Sequence, residues 1–323
     1  MRRSLLSLIL LCVVLAFWVG AQTPQKLTKA DFEKMMKELS NWGRWGKSDQ
    51  AGTVNLITPA KRKAAAALVT EGYSVSLSRD TDTQQAVDNS SPFIHKMNPG
   101  VDNEFNMDEY SISFHGFAHT HMDALSHVFY QGQMYNGFPQ SSVKPGGAEF
   151  LAVTAYREGI FTRGVLVDIP RLRHVPYLEA TDVIYPEELD AWEKKTGVHI
   201  QSGDAVFIRT GRWALRAAKG PWDIAAHSAG LYASSARWFK QRDIAILGGD
   251  TSNDVLPSRI DGVTFPLHQL LLVAMGTPMF DQCDLEPLAK AAAARNRWTF
   301  LLTAAPLRAT GGTGSPLNPT ATF

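Results

Sequence analysis

Short apolar stretches alternate with helix-forming stretches through the second half of the chain, and this alternation limits the folds open to it. β-Branched and aromatic residues predict strands at residues 150–155, 164–169, 204–210, 243–247 and 298–303. Helices are predicted at residues 58–71, 185–195, 231–241 and 284–296. A sandwich of strands alone would show hairpin turns instead. The pattern therefore predicts an α/β or α+β protein in which helices flank a sheet.

Charge and length exclude some classes of partner and organisation. The 323 residues include 32 Lys+Arg and 31 Asp+Glu, which leave a formal charge of +1. Both signs are interspersed, so no basic patch is available for nucleic acid or for an anionic membrane surface. No linker, repeat or low-complexity tract divides the sequence. We therefore expect a single domain over residues 22–323.

The N-terminus has the pattern of a secretory signal peptide. Two arginines are followed by an apolar run at residues 5–19 and by small residues ending at Ala21. We predict a signal peptide over residues 1–21, cleavage after Ala21, and a secreted or periplasmic protein that leaves the membrane on cleavage. The alternative is an uncleaved N-terminal anchor. Cleavage would remove Cys12 and leave Cys283, which we expect to be a small buried residue without a disulfide partner.

Four of the nine histidines fall between positions 115 and 127. If this segment is extended, His115, His119, His121 and Asp123 project to one side. Imidazole nitrogen and carboxylate oxygen together suit a zinc, manganese or iron ion. The alternative is a run of histidines satisfied by ordinary hydrogen bonds. His127 lies just beyond this alternation and is either a further ligand or a proton carrier beside the metal.

This stretch resembles the metal motif of the cyclase family, which includes bacterial kynurenine formamidase and isatin hydrolase. The family pattern is His-x-Gly-Thr-His-x-Asp-x-Pro-x-His, and the matching positions are Thr120, His121, Asp123 and His127. Three positions depart from the pattern: Phe117 replaces the first His, His119 the Gly, and Leu125 the Pro. The first His is a metal ligand in the formamidases. His119 or His115, on the same face of the expected strand, can supply the missing nitrogen, and the sequence does not distinguish between them.

Further blocks resemble one branch of the family along most of the mature chain. They are residues 41–46 with Asp49, Gly52 and Asn55, then residues 123–127, 135–137, 209–211, 248–254 and 311–316. The resemblance implies a compact β/β/α domain around a mixed sheet, assembled as a homodimer or homotetramer.

The resemblance also implies two later metal ligands. His268 matches a His that opens a helix, and Asp281 falls at the position of a family Glu. The alternative for His268 is a helix-start residue packed in the core. The alternative for Asp281 is a solvated acid of a loop or helix cap, although Asp284 fills the cap role more naturally. Because Asp is one methylene shorter than Glu, a site with one ion is favoured over one with two. Zinc or manganese is the expected cofactor.

The implied activity is metal-dependent hydrolysis of an amide or cyclic-amide carbonyl in a small molecule, with cleavage of a carbon–nitrogen bond. His127 is the predicted general acid and base. Trp42, Trp45, Phe117 and Tyr135 could form the walls of a pocket for a flat substrate, although core packing is the alternative. Asp250 and Asp254 could orient a ligand or a metal-bound His, and turn formation is their alternative role.

Two other functions remain open. His121, Asp123 and His268 formally satisfy the facial triad of an iron oxygenase, but those enzymes resemble jelly rolls and the second half of this chain is rich in predicted helices. A non-catalytic exported metal-binding protein would need only the histidine cluster. Among formamidase substrates, N-formylkynurenine is disfavoured, because export fits poorly with the intracellular tryptophan pathway.

Overall fold

The computed structural model describes residues 26–99 and 104–323, so the predicted signal peptide lies outside the described residues. A nine-stranded mixed sheet forms the centre of the molecule. Its strands are β1 (Ser74–Ser76), β4 (His121–Asp123), β7 (Ile160–Asp168), β9 (Ala205–Arg209), β11 (Ile246–Gly249), β12 (Met279–Asp281), β13 (Thr299–Ala304), β14 (Gly314–Pro316) and β15 (Thr320–Thr322).

The order of strands across this sheet is β1-β15-β13-β7-β9-β11-β12-β4-β14. The four central strands β7, β9, β11 and β12 are parallel, and the outer strands on both sides are antiparallel. Within residues 26–99 and 104–323, three two-stranded ribbons lie apart from it: β2 (Ile94–Pro99) with β3 (Asn106–Ser111), β5 (Val143–Lys144) with β6 (Gly147–Ala148), and β8 (Val183–Ile184) with β10 (Gly230–Leu231).

Eight α-helices accompany the strands in the described part of the chain. They are α1 (Lys29–Glu38), α2 (Pro59–Ala66), α3 (Ile169–Arg173), α4 (Pro186–Thr196), α5 (Arg212–Lys219), α6 (Ser235–Gln241), α7 (Pro266–His268) and α8 (Glu286–Arg295). A π-helical segment, Gln269–Met275, continues α7. Helices α2, α4 and α8 pack against β7. Because helices cover the central strands, the sequences of these strands are mostly apolar along their length.

Aromatic rings fill the core beside the parallel strands. Phe207 lies 6.0 Å from Phe280 and 6.1 Å from Phe300, measured between ring centroids. The ring of Phe207 fits because Gly248 carries no side chain: a Cβ there would lie 2.6 Å from it. Cys283 is fully buried and free, as expected from the sequence.

The α/β class with a mixed sheet and flanking helices is confirmed. The strands predicted at 164–169, 204–210 and 298–303 overlap β7, β9 and β13, and the four predicted helices overlap α2, α4, α6 and α8. The strand predicted at 243–247 begins three residues later, because Asp243 adopts a positive φ of 49°. The strand predicted at 150–155 is wrong. Leu151 has a φ of 60°, and a 3-10 turn, Val153–Tyr156, follows it.

No helix within residues 26–99 or 104–323 is long and apolar enough to cross a membrane.

Candidate metal centre

The pairing of β12 with β4 places three potential ligands on one face of the sheet. Asp281 lies opposite His121, and Met279 lies opposite Asp123, in antiparallel register. Directly opposed residues project to the same side, and alternate residues project to opposite sides. His121, Asp123 and Asp281 therefore share the cavity face, while the residues between them, Met122 and Phe280, are fully buried in the core.

The extended segment expected over residues 115–123 is wrong, because only His121–Asp123 forms a strand. Gln282, just after β12, has a φ of 58°, so the partner strand turns away before it can pair with the residues preceding His121. The chain over residues 112–120 is irregular instead.

This irregular segment nevertheless brings His115 to the site. Its Nδ1 lies 3.0 Å from Asp123 Oδ1, and its Nε2 lies 3.1 Å from Thr313 Oγ1. The ring rests over Gly314, where an added Cβ would lie 2.7 Å from the imidazole. The glycine in the C-terminal block is thus required by the close approach of His115.

The side chain of His119 points elsewhere. Its Nε2 lies 3.4 Å from the carbonyl oxygen of Ser91, beside a separate cavity of about 280 Å³. The backbone oxygen of His119 lies 2.8 Å from His121 Nδ1. Because a carbonyl only accepts, His121 Nδ1 carries a hydrogen, and Nε2 lies 3.5 Å from Asp123 Oδ1. Of the two candidates for the missing nitrogen, the structure brings His115 to the site and leaves His119 outside it.

His268 approaches from the start of α7. Its Nδ1 lies 2.6 Å from Asp254 Oδ2, and its Nε2 lies 3.4 Å from Asp281 Oδ2 and 3.7 Å from Asp123 Oδ2. Burial alone would lower the pKa of His268, but the three carboxylates raise it well above its ordinary value. Asp254 thus orients the imidazole towards the other two acids.

The loop after β11 supports these ligands from behind. Asp254 accepts hydrogen bonds from the backbone N–H groups of Leu267 and His268, at 2.8 and 3.1 Å, which fixes the first turn of α7. The neighbouring Asn253 donates from Nδ2 to Asp281 Oδ1 at 2.8 Å. Such outer contacts set the orientation of metal ligands.

Asp123 lies at the centre of the cluster. Both carboxylate oxygens are buried, and neither has a well-aligned hydrogen-bond partner among the described residues. Four imidazole nitrogens lie 3.0 to 3.8 Å from them, from His115, His121, His127 and His268. Burial would raise the pKa of this carboxyl, but the imidazoles, His127 first, hold it well below its usual range.

This donor set fits a divalent cation. A buried carboxylate without hydrogen bonds is costly unless a positive charge faces it. In the described part of the chain, two groups hold ligand atoms within 4.8 Å of one another: His115 with Asp123 and His127, and His121 with Asp123 and Asp281. Both include Asp123, so imidazole nitrogen and carboxylate oxygen converge at one place, as zinc, manganese or iron requires.

His127 lies at the edge of this cluster. Its ring stacks on that of His115, with centroids 4.0 Å apart and planes 4° apart, and its Nε2 is 3.8 Å from Asp123 Oδ2. Burial lowers the pKa of His127 to about 4, partly offset by Asp123. The imidazole is therefore neutral at pH 7 and has a lone pair available for a proton or an ion.

A cavity of about 600 Å³ opens above these residues. Its walls are largely apolar, formed by Phe32, Phe117, Val128, Tyr130, Val263 and Phe265. Lys29 and Ser252 also line it. An apolar cavity of this size with a few convergent polar groups is typical of a small-molecule site.

Of the predicted substrate-binding residues, only Phe117 lines this cavity. Tyr135 is fully buried, and its hydroxyl donates to Asp49 Oδ2 at 3.1 Å. Asp250 is buried and accepts hydrogen bonds from the backbone N–H groups of Thr210 and Gly211, so it holds the turn after β9.

The two predicted tryptophans also lie away from the cavity wall. Trp45 packs under the guanidinium of Arg44, 4.7 Å from the ring centroid, and Trp42 donates from Nε1 to the carbonyl oxygen of Val273 at 2.7 Å. Core packing thus describes Tyr135, and turn formation describes Asp250. Core packing does not describe the tryptophans, because Trp42 is 39% exposed and Trp45 is half-buried.

No sequence pattern indicates that Phe32 and Tyr130 contact the cavity, because α1 and the chain around residue 130 reach it only through tertiary packing. A local signal does exist for Ser252, Asn253 and Phe265. Ser252 and Asn253 lie in the 248–254 block, and Phe265 stands three residues before His268.

Comparison with known proteins agrees with this geometry. A family model described as "Putative cyclase" matches residues 48–253, more than half of the chain. A solved structure titled as a novel cyclase is 30% identical, with a TM-score of 0.80, and the match covers 88% of this chain and all of that one. The chain therefore belongs to the cyclase family.

Two solved isatin hydrolases share the fold at lower identity. Isatin hydrolase A from Ralstonia solanacearum is 21% identical with a TM-score of 0.57, over 82% of this chain and 97% of that chain. Isatin hydrolase A from Labrenzia aggregata, bound to benzyl benzoate, is 22% identical with a TM-score of 0.57, over 80% and 94%. A search of curated proteins finds no significant match.

Proposed function

We propose that this protein is a metal-dependent hydrolase that opens an amide or cyclic-amide carbonyl in a small molecule by cleaving its carbon–nitrogen bond. The observation that carries the proposal is Asp123. Its buried oxygens have no hydrogen-bond partner among the described residues, and they face four imidazoles at the base of a cavity. Membership of the cyclase family supports the same reaction class.

The residues that would hold the ion are His115, His121, Asp123, His268 and Asp281. The family resemblance favours zinc or manganese. When bound, such a cation supplies Lewis acidity and a water whose pKa is lowered to near 7. Around it, the chain keeps Asp123 ionised and turns Nε2 of His121 and Nε2 of His268 towards its two oxygens.

His127 is proposed to move the proton. A neutral imidazole on the cavity wall can accept the proton of the attacking water at Nε2 and return it to the departing nitrogen. Such general acid and base catalysis contributes about 10²- to 10⁴-fold in rate. The stacking of His127 on His115 fixes its ring relative to the cluster.

The cavity walls favour a flat, largely apolar substrate. Phe117, Phe32 and Phe265 line them, and aromatic side chains bind planar rings through their faces and edges. Isatin is the compound named for the two hydrolases that share the fold, and its ring contains the lactam proposed here. It is therefore the first substrate to test.

The location and assembly of the protein are also proposed. Residues 1–21 have the charge and hydropathy pattern of an export signal, which supports a secreted or periplasmic enzyme. The family resemblance supports a homodimer or homotetramer. Neither nucleic acid nor membrane lipid is proposed as a partner, because the net charge is only +1.

The alternatives predict different outcomes. The facial triad of an iron oxygenase would draw on His121, Asp123 and His268, but four central parallel strands do not occur in the antiparallel jelly roll of those enzymes. A protein that only binds metal would take up the ion without hydrolysing anything.

The experiment measures metal content of the purified mature protein by mass spectrometry, together with hydrolysis of isatin and N-formylkynurenine after loading with zinc or manganese. We expect about one ion per chain and metal-dependent opening of isatin. Turnover that survives removal of the metal by chelator contradicts the mechanism. Full metal occupancy without hydrolysis favours the metal-binding alternative, and turnover of 2-oxoglutarate with iron favours the oxygenase.

A further inference from the structure

Ser252 is a buried side chain on the cavity wall with an unused hydroxyl. Its exposed fraction is 4%, and Oγ has no hydrogen-bond partner within the described residues. Buried hydroxyls in folded proteins are nearly always hydrogen-bonded, since burial without a partner is costly. This hydroxyl therefore requires an explanation that the fold itself does not supply.

The backbone that carries Ser252 is held on both sides. The backbone oxygen of Thr251 accepts from Gln282 N–H at 3.2 Å, and that of Ser252 accepts from Asp254 N–H at 2.7 Å. The next two side chains along the loop, Asn253 and Asp254, orient Asp281 and His268. The position of Ser252 is thus tied to the same strands and helix that carry the candidate metal ligands.

The other polar side chains on the cavity wall are candidate ligands, the predicted proton carrier His127, or more exposed groups. Lys29 and Thr264 are exposed, and Tyr130 and Gln269 are half-buried. Among the described lining residues that are not candidate ligands, Ser252 is the one buried neutral side chain that can donate a hydrogen bond. A hydroxyl offers one donor and two acceptor positions, so it can bind a carbonyl oxygen.

We propose that Ser252 Oγ–H donates a hydrogen bond to the oxygen of the substrate carbonyl that is attacked, an inference that rests on the proposed hydrolase function. That oxygen gains negative charge as water adds to the carbonyl carbon and loses it when the carbon–nitrogen bond breaks. A donor fixed in advance strengthens its hydrogen bond at that stage. Ser252 forms no covalent bond in this scheme and changes only the stability of the charged oxygen.

The chain offers a matched control for this role. Ser235, in α6, also has a fully buried hydroxyl without a hydrogen-bond partner among the described residues, but it does not line the cavity. Ser252→Ala and Ser235→Ala each remove one unsatisfied hydroxyl and nothing else. Both variants are expected to keep the wild-type melting temperature and metal content, because neither loses a hydrogen bond within the protein.

The test compares isatin opening by the metal-loaded wild type, Ser252→Ala and Ser235→Ala, followed by absorbance. We expect kcat to fall about 100-fold in Ser252→Ala with little change in KM, as for loss of a donor that acts on the transition state. Ser252→Thr, which keeps the hydroxyl, is expected to retain more turnover than Ser252→Ala. Ser235→Ala is expected to match the wild type.

Three results would contradict the inference. Equal turnover by Ser252→Ala and the wild type removes the role of the hydroxyl and leaves the hydrolase function intact. A lower melting temperature or metal content in Ser252→Ala, but not in Ser235→Ala, assigns Ser252 to structure. A wild type that contains metal but opens no isatin contradicts the proposed function, and the inference falls with it.

Discussion

Asp123 is the residue of the candidate centre on which four imidazoles converge. It is fully buried and ionised, and its oxygens face imidazoles rather than hydrogen-bond donors of the backbone. Because an isolated buried charge is unfavourable, each nearby imidazole or cation contributes to keeping the site in this form. Substitution of single histidines therefore tests most directly which residues hold the ion and which one carries the proton.

The first prediction separates the two histidines that could replace the ligand missing at Phe117. His115→Ala is expected to weaken metal binding at least about 10-fold, since it removes a nitrogen 3.0 Å from Asp123 Oδ1. His119→Ala is expected to leave binding near the wild-type value, because that ring faces Ser91. Competition with a fluorescent zinc chelator measures both. Equal losses would contradict the assignment of His115.

The second prediction concerns His127. His127→Ala is expected to retain metal and to lose about 10²- to 10⁴-fold in turnover, because the proton carrier is removed while the closer donors remain. Metal content by mass spectrometry and isatin opening are measured on the same preparation. If metal and activity fall together, His127 is a ligand and the proton must leave by another group.

At the scale of elements, the centre is assembled by three short pieces of backbone. The register of β12 with β4 aligns Asp281 with His121, α7 presents His268, and β14 leaves room for His115 at Gly314. The loop after β11 joins two of these pieces, since Asn253 bonds to Asp281 and Asp254 bonds to His268. A change in that loop should therefore affect the metal more than the fold.

The third prediction follows for Asp254. The two carboxylate oxygens of Asp254 accept three hydrogen bonds, from the backbone N–H groups of Leu267 and His268 and from His268 Nδ1. Asp254→Asn leaves only one oxygen to accept them. The imidazole is expected to lose its fixed orientation, and metal affinity is expected to fall about 10- to 100-fold.

The control is Asp49→Asn, which alters another hydrogen-bonded carboxylate, outside the cavity wall. Titration of both metal-free variants with zinc measures the difference. Unchanged affinity in Asp254→Asn would show that Asp254 serves only the start of α7.

At the scale of the whole molecule, a buried ionic cluster ties α2 to the central strands. Asp204, fully buried before β9, accepts hydrogen bonds from Lys61 of α2 and Arg163 of β7. The cluster lies outside the cavity wall. It contributes to folding, and its removal should not alter the chemistry of the site.

The fourth prediction is that Asp204→Asn destabilises the protein by about 3–5 kcal/mol, because two partly buried cations lose their partner. Chemical denaturation measures the change, and metal content is expected to stay constant. Glu179→Gln, which breaks the exposed pair with Lys219, is the control and is expected to leave the midpoint unchanged. A similar small effect for both variants would contradict the structural role of Asp204.

Local chemistry explains which parts of this architecture could be predicted. Pro59 and Pro186 stand at the first turn of α2 and α4, where proline is favoured, and apolar runs mark β7 and β9. His121 and Asp123 share a face because they are two residues apart on a strand. Leu151 was misassigned, because nothing in its apolar neighbourhood shows that its φ is positive.

The α/β class, the family and the His-x-Asp pair follow from the amino-acid sequence, since these depend on spacing over a few residues. The folded chain is needed to see that His115 lies at the candidate centre and His119 outside it, and that Ser252 lines the cavity. The physical reason is contact between distant positions: His115 is oriented by Thr313, 198 residues away, and His119 by Ser91, 28 residues away. Such contacts follow from strand register and loop geometry, which no local pattern encodes.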